Sequence, residues 1–191
     1  MKYWKVNSEG QSIALIGMMG AGKSSAGWCL HRRTGWVFVD TDEIVASKLK
    51  MSISEIFAEH GEERFREAET DALRRIRTEE QTIIVTGGGV VLRKENIEIL
   101  KSQAVIVWLD GAEQILFARA SRKQNRPLLQ TKSPRKSFSQ IYHARRPLYA
   151  NIADIRVDTS ILTGEEVAVA ILVELARMHG TRKSVVAVKA S

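Results

Sequence analysis

The chain has 191 residues, 44% hydrophobic and 27% charged, with 29 Lys and Arg against 22 Asp and Glu and a single cysteine, Cys29. This length and apolar content suit one domain with one core. No apolar run reaches the roughly 18 residues of a membrane helix, and a lone cysteine excludes an intrachain disulfide.

Residues 1–11 hold Lys2, Lys5 and Glu9 without an apolar segment, so they do not read as a secretory signal, and a cytoplasmic protein is expected. Neither Cys29 nor the four scattered histidines show metal-ligand spacing. The net charge of +7 would suit nucleic acid. No nucleic-acid-binding motif accompanies it, and small anionic ligands explain it equally well, so nucleic acid and membrane are both excluded as expected partners.

In chain order, Ile13-Ala14-Leu15-Ile16 reads as a buried strand and residues 23–33 as a helix. Between them lies Gly17-Met18-Met19-Gly20-Ala21-Gly22-Lys23-Ser24, a complete phosphate-binding loop. Unpartnered amides at a helix start, aided by the helix dipole, make an anion cradle. Lys23 is placed to reach the outer phosphates and the Ser24 hydroxyl to ligate Mg²⁺.

A second strand, residues 36–39, delivers Asp40-Thr41-Asp42 at its carboxyl end, where open parallel sheets place ligands. Two carboxylates two apart on a strand point the same way, one toward Mg²⁺ and one toward a substrate hydroxyl; a helix N-cap explains the pair equally well. Ser52-Ile53-Ser54-Glu55 has the capping-box pattern of a short helix ending at Gly61, and a further helix runs from Glu62 to about Thr78. On it, Arg66 and Glu69 stand three apart, a spacing that by itself describes a solvated surface pair.

The third strand, residues 82–85, runs into Thr86-Gly87-Gly88-Gly89, which fits close approach of a ligand to bare amides or, alternatively, a sharp turn. A helix over 94–101, a continuously apolar fourth strand over 104–109 and a helix over 111–121 follow. The charged segment around 120–135, broken by Pro127 and Pro134, is the candidate mobile lid; a surface loop is the alternative. Helix resumes over 135–145, with Arg145 and Arg146 just before Pro147-Leu148-Tyr149. A fifth strand over 155–158 precedes a helix with a Thr163/Glu166 capping box, a stripe of Val167, Ile171, Leu175 and Met178, and a stop at Gly180. Strands alternating with helices predict a three-layer α/β/α fold around a five-stranded parallel sheet, one domain over 1–191 with its core at about 11–178.

These pieces in this order resemble the shikimate kinase family, nucleoside-monophosphate-kinase-like P-loop enzymes, over residues 11–178. The likeness rests on the phosphate loop, Phe38-Val39-Asp40-Thr41-Asp42, Phe65-Arg66 with Glu69, Thr86-Gly87-Gly88-Gly89, Arg126-Pro127-Leu128-Leu129, and Arg145 followed by Pro147-Leu148-Tyr149. It implies transfer of the γ-phosphate of ATP to the 3-hydroxyl of shikimate, in chorismate and aromatic amino-acid synthesis; a monomer is expected. Carried over by position, Gly20, Ala21, Gly22, Lys23, Ser24 and Ser25 hold ATP, and Ser24 and Asp40 serve Mg²⁺. Asp42 binds the substrate hydroxyl and acts as base. Arg66 and Arg145 take the carboxylate, Gly88 and Gly89 line the acceptor pocket, Arg119 packs on adenine, and Arg126 descends with the lid.

Two positions depart from the pattern: Ser25 replaces a common threonine, and Trp28 a frequent arginine, where a surface salt bridge or the nucleotide edge would change. The competing readings are a kinase of gluconate or a nucleotide, which the paired arginines disfavour, and a P-loop protein that binds nucleotide without turnover.

Overall fold

The computed structural model describes residues 11–76, 79–122 and 127–189. Strands β1 (Ser12–Ile16), β2 (Val37–Asp40), β3 (Thr82–Val85), β4 (Ala104–Asp110) and β5 (Ile155–Asp158) form one sheet in the order β2-β3-β1-β4-β5, every neighbouring pair parallel. Among the described residues the helices are α1 (Lys23–Thr34), α2 (Thr41–Leu49), α3 (Ile53–Arg75), α4 (Lys94–Gln103), α5 (Glu113–Ser121), α6 (Pro134–Ile152) and α7 (Gly164–Lys189). None of these helices is long and apolar enough to cross a membrane.

The three inner strands β3, β1 and β4 are buried along their whole length, as expected of runs such as Ala104-Val105-Ile106-Val107-Trp108-Leu109 that helices cover on both faces. The edge strand β5 alternates instead, with Ile155 and Val157 inward and Arg156 and Asp158 outward. Around the inner strands Leu30, Leu73, Leu100, Leu116, Phe138 and Ile171 complete the main core. A smaller cluster of Val45, Ile56, Phe65, Ala68 and Ala72 fastens α2 to α3. The connection from β1 leads to β2 on one side of the sheet and that from β4 to β5 on the other, so the chain leaves the carboxyl ends of these two paired strands in opposite directions, a switch point of the kind beside which ligands bind.

Several boundaries differ from expectation for definite reasons. Asp40 ends β2 but also caps α2, its Oδ1 accepting from the Asp42 amide at 2.9 Å, so Asp42 sits in the first turn of a helix and not on a strand. The α3 span holds both expected helices: Ser52 and Glu55 close a capping box, and Gly61, at φ 77°, breaks the axis. This helix ends at Arg75, and Thr78 lies outside the described residues. α6 continues through Pro147, whose missing N–H removes only one helix bond while both flanking turns stay packed. α7 opens with the Thr163/Glu166 box but does not stop at Gly180, since its backbone remains helical to Lys189.

Candidate active site

The loop after β1 is shaped by glycines that no other residue replaces easily. Gly17 and Gly20 have φ of 139° and 85°, and a Cβ would lie 2.3 Å from the Leu109 carbonyl oxygen at the first and 2.2 Å from that of Leu116 at the second. The loop is therefore laid directly over the end of β4 and over α5. Gly22 caps α1 in the left-handed region without a side-chain acceptor, which leaves the first-turn amides of α1 facing the loop mouth. Lys23 curls back so that its ammonium donates to the carbonyls of Gly17 and Met18 at 2.8 and 3.1 Å.

A cavity of about 820 Å³ opens there, bounded by Gly20, Gly22, Lys23, Ser24 and Ser25 on one side and by Asp40, Asp42 and Thr86 to Gly88 on the other. Arg119 reaches it from α5, held by bonds from its guanidinium to the carbonyls of Thr159 and Ser160 at 2.8 and 3.1 Å. The same residue borders an adjoining space of about 490 Å³ with Ala21, Leu162 and Val167. The Ser24 hydroxyl donates to Asp40 Oδ2 at 3.5 Å. These are two hard oxygen donors at the mouth of a phosphate cradle, a set that fits Mg²⁺, which takes few protein ligands and completes its shell with phosphate and water.

A second cavity, about 510 Å³, lies beside the first and is walled by Ile53, Phe57 and Phe65, by Arg66 and Arg145, by Gly87 to Gly89, and by Pro127 and Leu128 from the described part of the segment around 120–135. Met19, Asp42, Gly87 and Gly88 border both cavities. Arg66 and Glu69 are not a solvated pair. Arg66 is 5% exposed and Glu69 fully buried, and the guanidinium donates to Glu69 at 3.1 Å and to Glu62 at 2.8 Å while lying 5.2 Å from the Phe65 ring. Burial works against the Arg66 charge, but Glu69 and Glu62 outweigh it and hold its pKa above the usual value. Burial pushes the Glu69 carboxyl up to about 7 against the pull of Arg66, with the Asp42 charge adding to the rise.

Two of the three glycines after Thr86, Gly87 and Gly89, owe their presence to these side chains, and none of the three has a positive φ. A Cβ on Gly89 would meet the Arg66 guanidinium at 2.1 Å, and one on Gly87 would meet Glu69 Oε1 at 2.6 Å and Asp42 Oδ1 at 3.0 Å. Of the expected explanations the turn is present, the Val90 amide donating to the Gly87 carbonyl at 3.2 Å, and close approach of the protein's own charged groups adds to it. Tyr149, 2% exposed, donates its hydroxyl to the Gly88 carbonyl from the far side.

The structure thus gathers Lys23, Ser24, Ser25, Asp40, Asp42 and Arg119 around one cavity and Asp42, Arg66, Gly88, Gly89 and Arg145 around the other. Arg126 lies outside the described residues. Trp28 touches neither cavity: its ring stacks on Phe38 at 4.7 Å and meets His31 edge-on at 5.4 Å. Its place on the outer side of α1 and β2 answers the question about the nucleotide edge. Sequence reasoning passed over Glu62 and Tyr149 and underrated Glu69. The signal for Glu69 was available, because it stands four residues after Phe65 and four before Leu73, inside the apolar stripe of α3.

A parallel α/β sheet with a phosphate loop after its first strand, joined to a separate arginine-lined pocket by a shared aspartate, defines a P-loop kinase of small molecules. The family model for shikimate kinase matches residues 19–176. A shikimate kinase of Thermodesulfovibrio yellowstonii is 43% identical over 168 residues, 88% of this chain and 96% of that protein. One from Trichormus variabilis is 44% identical over 149 residues, 78% of this chain and 81% of its own. Among solved structures, the shikimate kinase of Acinetobacter baumannii in complex with shikimate superposes with a TM-score of 0.81 at 33% identity, covering 85% of this chain and 90% of that one. The gluconokinase of Sinorhizobium meliloti, at 18% identity and a TM-score of 0.55, covers 91% of this chain and 96% of its own and shares the fold alone. The chain belongs to the shikimate kinase family, enzymes that phosphorylate shikimate with ATP.

Proposed function

We propose that this chain transfers the γ-phosphate of ATP to the 3-hydroxyl of shikimate, acting as a single domain over 1–191 with its lid at about 120–135, as a cytoplasmic monomer without a nucleic-acid partner. The observation that carries the assignment of roles is the position of Asp42, which borders the phosphate cavity and the arginine-lined cavity together. A group that serves both substrates has to stand at such a boundary. Its carboxylate accepts the proton of the acceptor hydroxyl as that oxygen bonds to the γ-phosphorus, while the bond from phosphorus to the β,γ-bridging oxygen breaks and ADP departs.

Lys23 and the amides from Gly20 to Ser25 hold the phosphates and offset the charge that spreads over them in the transition state. Ser24, and Asp40 through water, hold Mg²⁺, which when bound neutralises phosphate charge. Arg119 packs against adenine. Arg66 and Arg145 take the acceptor carboxylate, the Gly88 and Gly89 amides bind its hydroxyls, and Arg126 closes over the phosphates and keeps water out. Support for the carboxylate assignment comes from the buried setting of both arginines on that cavity, 5% and 7% exposed, where water screens their attraction for an anion less than at the surface.

The test is ADP release from Mg-ATP with and without shikimate, beside gluconate and AMP. Shikimate-dependent turnover that Asp42→Asn abolishes supports the reading. Turnover with another acceptor overturns the Arg66 and Arg145 roles, and ATP binding without turnover favours a nucleotide-binding protein.

A further inference from the structure

Space at Gly87 and Gly89 is given over to Asp42, Arg66 and Glu69, and it is gained at the expense of stiffness. A peptide flanked by two glycines meets little steric resistance when it turns over. In the Gly88–Gly89 peptide the carbonyl is held by the Tyr149 hydroxyl. Carbonyl and amide of a trans peptide point in opposite directions, so holding the Gly88 oxygen fixes the Gly89 N–H toward the other side, away from Tyr149.

The ring that makes this contact is itself well anchored. It stacks on Trp108 with 6.2 Å between centroids and is 2% exposed. Tyr149 also follows Arg145 by one helical turn on α6, so the two side chains project from the same side of the helix, Arg145 onto the arginine-lined cavity and Tyr149 onto the Gly88 carbonyl.

We propose that Tyr149 is a positioning residue for the acceptor: its hydroxyl holds the Gly88–Gly89 peptide so that the Gly89 amide faces the acceptor cavity, in register with Arg145. The inference rests on the reading of that cavity as the acceptor site. Burial pushes the Tyr149 hydroxyl up to about 12 despite nearby Arg145, so it stays a donor across the working pH range.

The experiment is Tyr149→Phe in the full chain, which removes one oxygen and keeps the ring. Steady-state kinetics should show the KM for shikimate raised about tenfold, the worth of one hydrogen bond. The KM for ATP and kcat should stay within about twofold, the split expected when ground-state acceptor binding is lost. Calorimetric titration of shikimate, without nucleotide, should show the same rise in Kd. An unchanged shikimate KM and Kd, or KM values for both substrates moving together, overturns the positioning role. Should Tyr149→Phe fail to fold on thermal melting, Trp108→Phe, which loosens the ring and leaves the hydroxyl, must show the same split in weaker form or the proposal falls. Wild-type turnover with a different acceptor sinks the functional reading instead, and the split is then measured with that acceptor.

Discussion

Gly89→Ala isolates the contact between the third glycine and Arg66. At φ −96° and ψ 2° the backbone of Gly89 accepts an L-residue, so the substitution acts through its methyl group and not through strain. That methyl would lie 2.1 Å from one Arg66 nitrogen and 2.2 Å from the guanidinium carbon, so the guanidinium has to move by more than an ångström, to at least about 3.4 Å, for ordinary contact.

Arg66 is not free to do so at low cost, since it is tied to Glu69 at 3.1 Å and to Glu62 at 2.8 Å. Pulling a partner away from a buried ion costs about 3–5 kcal/mol. Here the loss is smaller, because Glu69, already pushed up to about 7, takes a proton once its cation leaves. A net destabilisation of about 2–3 kcal/mol follows, and a similar share of acceptor affinity, a rise of about 30- to 100-fold in the KM for shikimate.

The assay is ADP release at saturating Mg-ATP across a shikimate titration, with urea unfolding alongside. Gly88→Ala is the comparison within the same acceptor-lining turn, because it adds the same methyl but its Cβ would meet nothing nearer than the Gly17 carbonyl oxygen at 3.4 Å. A shikimate KM for Gly89→Ala within about twofold of wild type, or an effect smaller than that of Gly88→Ala, would refute the argument that this glycine makes room for a substrate-binding arginine.

Glu69 governs a pH dependence whose sign follows from its raised pKa. Between 4.5 and about 7 the folded protein keeps a proton that the unfolded chain has released, so the stability due to this group is complete below 4.5 and is lost as pH rises through 7. Urea unfolding from pH 5 to 8 should show wild type losing about 2 to 2.5 kcal/mol relative to Glu69→Gln, which stays neutral throughout; parallel curves would show that Glu69 titrates as an ordinary carboxyl. Arg126→Ala should lower kcat by about 10³-fold or more with ATP affinity nearly unchanged, as for an arginine that acts in the transition state, and equal turnover would remove it from the mechanism. Asp42→Asn should lower kcat by about 10²- to 10⁴-fold, the range for loss of a general base, while ATP binding measured by fluorescence titration persists; weakened ATP binding with intact kcat would make Asp42 a phosphate-side residue only.

The parts of this site that were legible in the sequence are those in which the backbone does the work. A phosphate loop needs glycines at fixed spacing and a helix directly behind it, so Gly17 to Ser24 announce themselves, and the five strand runs, continuous in the interior, place that loop at the carboxyl end of the central strand of a parallel sheet. Asp40 was harder. The strand reading and the cap reading seemed to exclude each other, yet Asp40 ends β2, caps α2 through one carboxylate oxygen and accepts from Ser24 through the other. One side chain with two oxygens serves two partners, and no rule of spacing separates those uses. The pocket was harder still, because α2, α3, α6 and the turn after β3 meet only in three dimensions.

The Arg66 and Glu69 pair shows why surface statistics mislead at such a place. Spacing of i, i+3 on a helix describes a surface ion pair well when the neighbouring positions are polar, but here Glu69 shares its face with Phe65 and Leu73. Burying two charges is unfavourable unless each is compensated, and Glu69 is compensated only in part, as its raised pKa records. The imbalance has a chemical use. Near neutrality Glu69 carries less than a full negative charge, so Arg66 and Arg145 together keep positive charge available to the cavity while Asp42 remains its nearest carboxylate. A pocket with that balance favours an acceptor that brings its own anion to the arginines and a hydroxyl to Asp42. Gly87 and Gly89 follow from the same arrangement, because only residues without Cβ leave room for a guanidinium and two carboxylates within one turn of backbone.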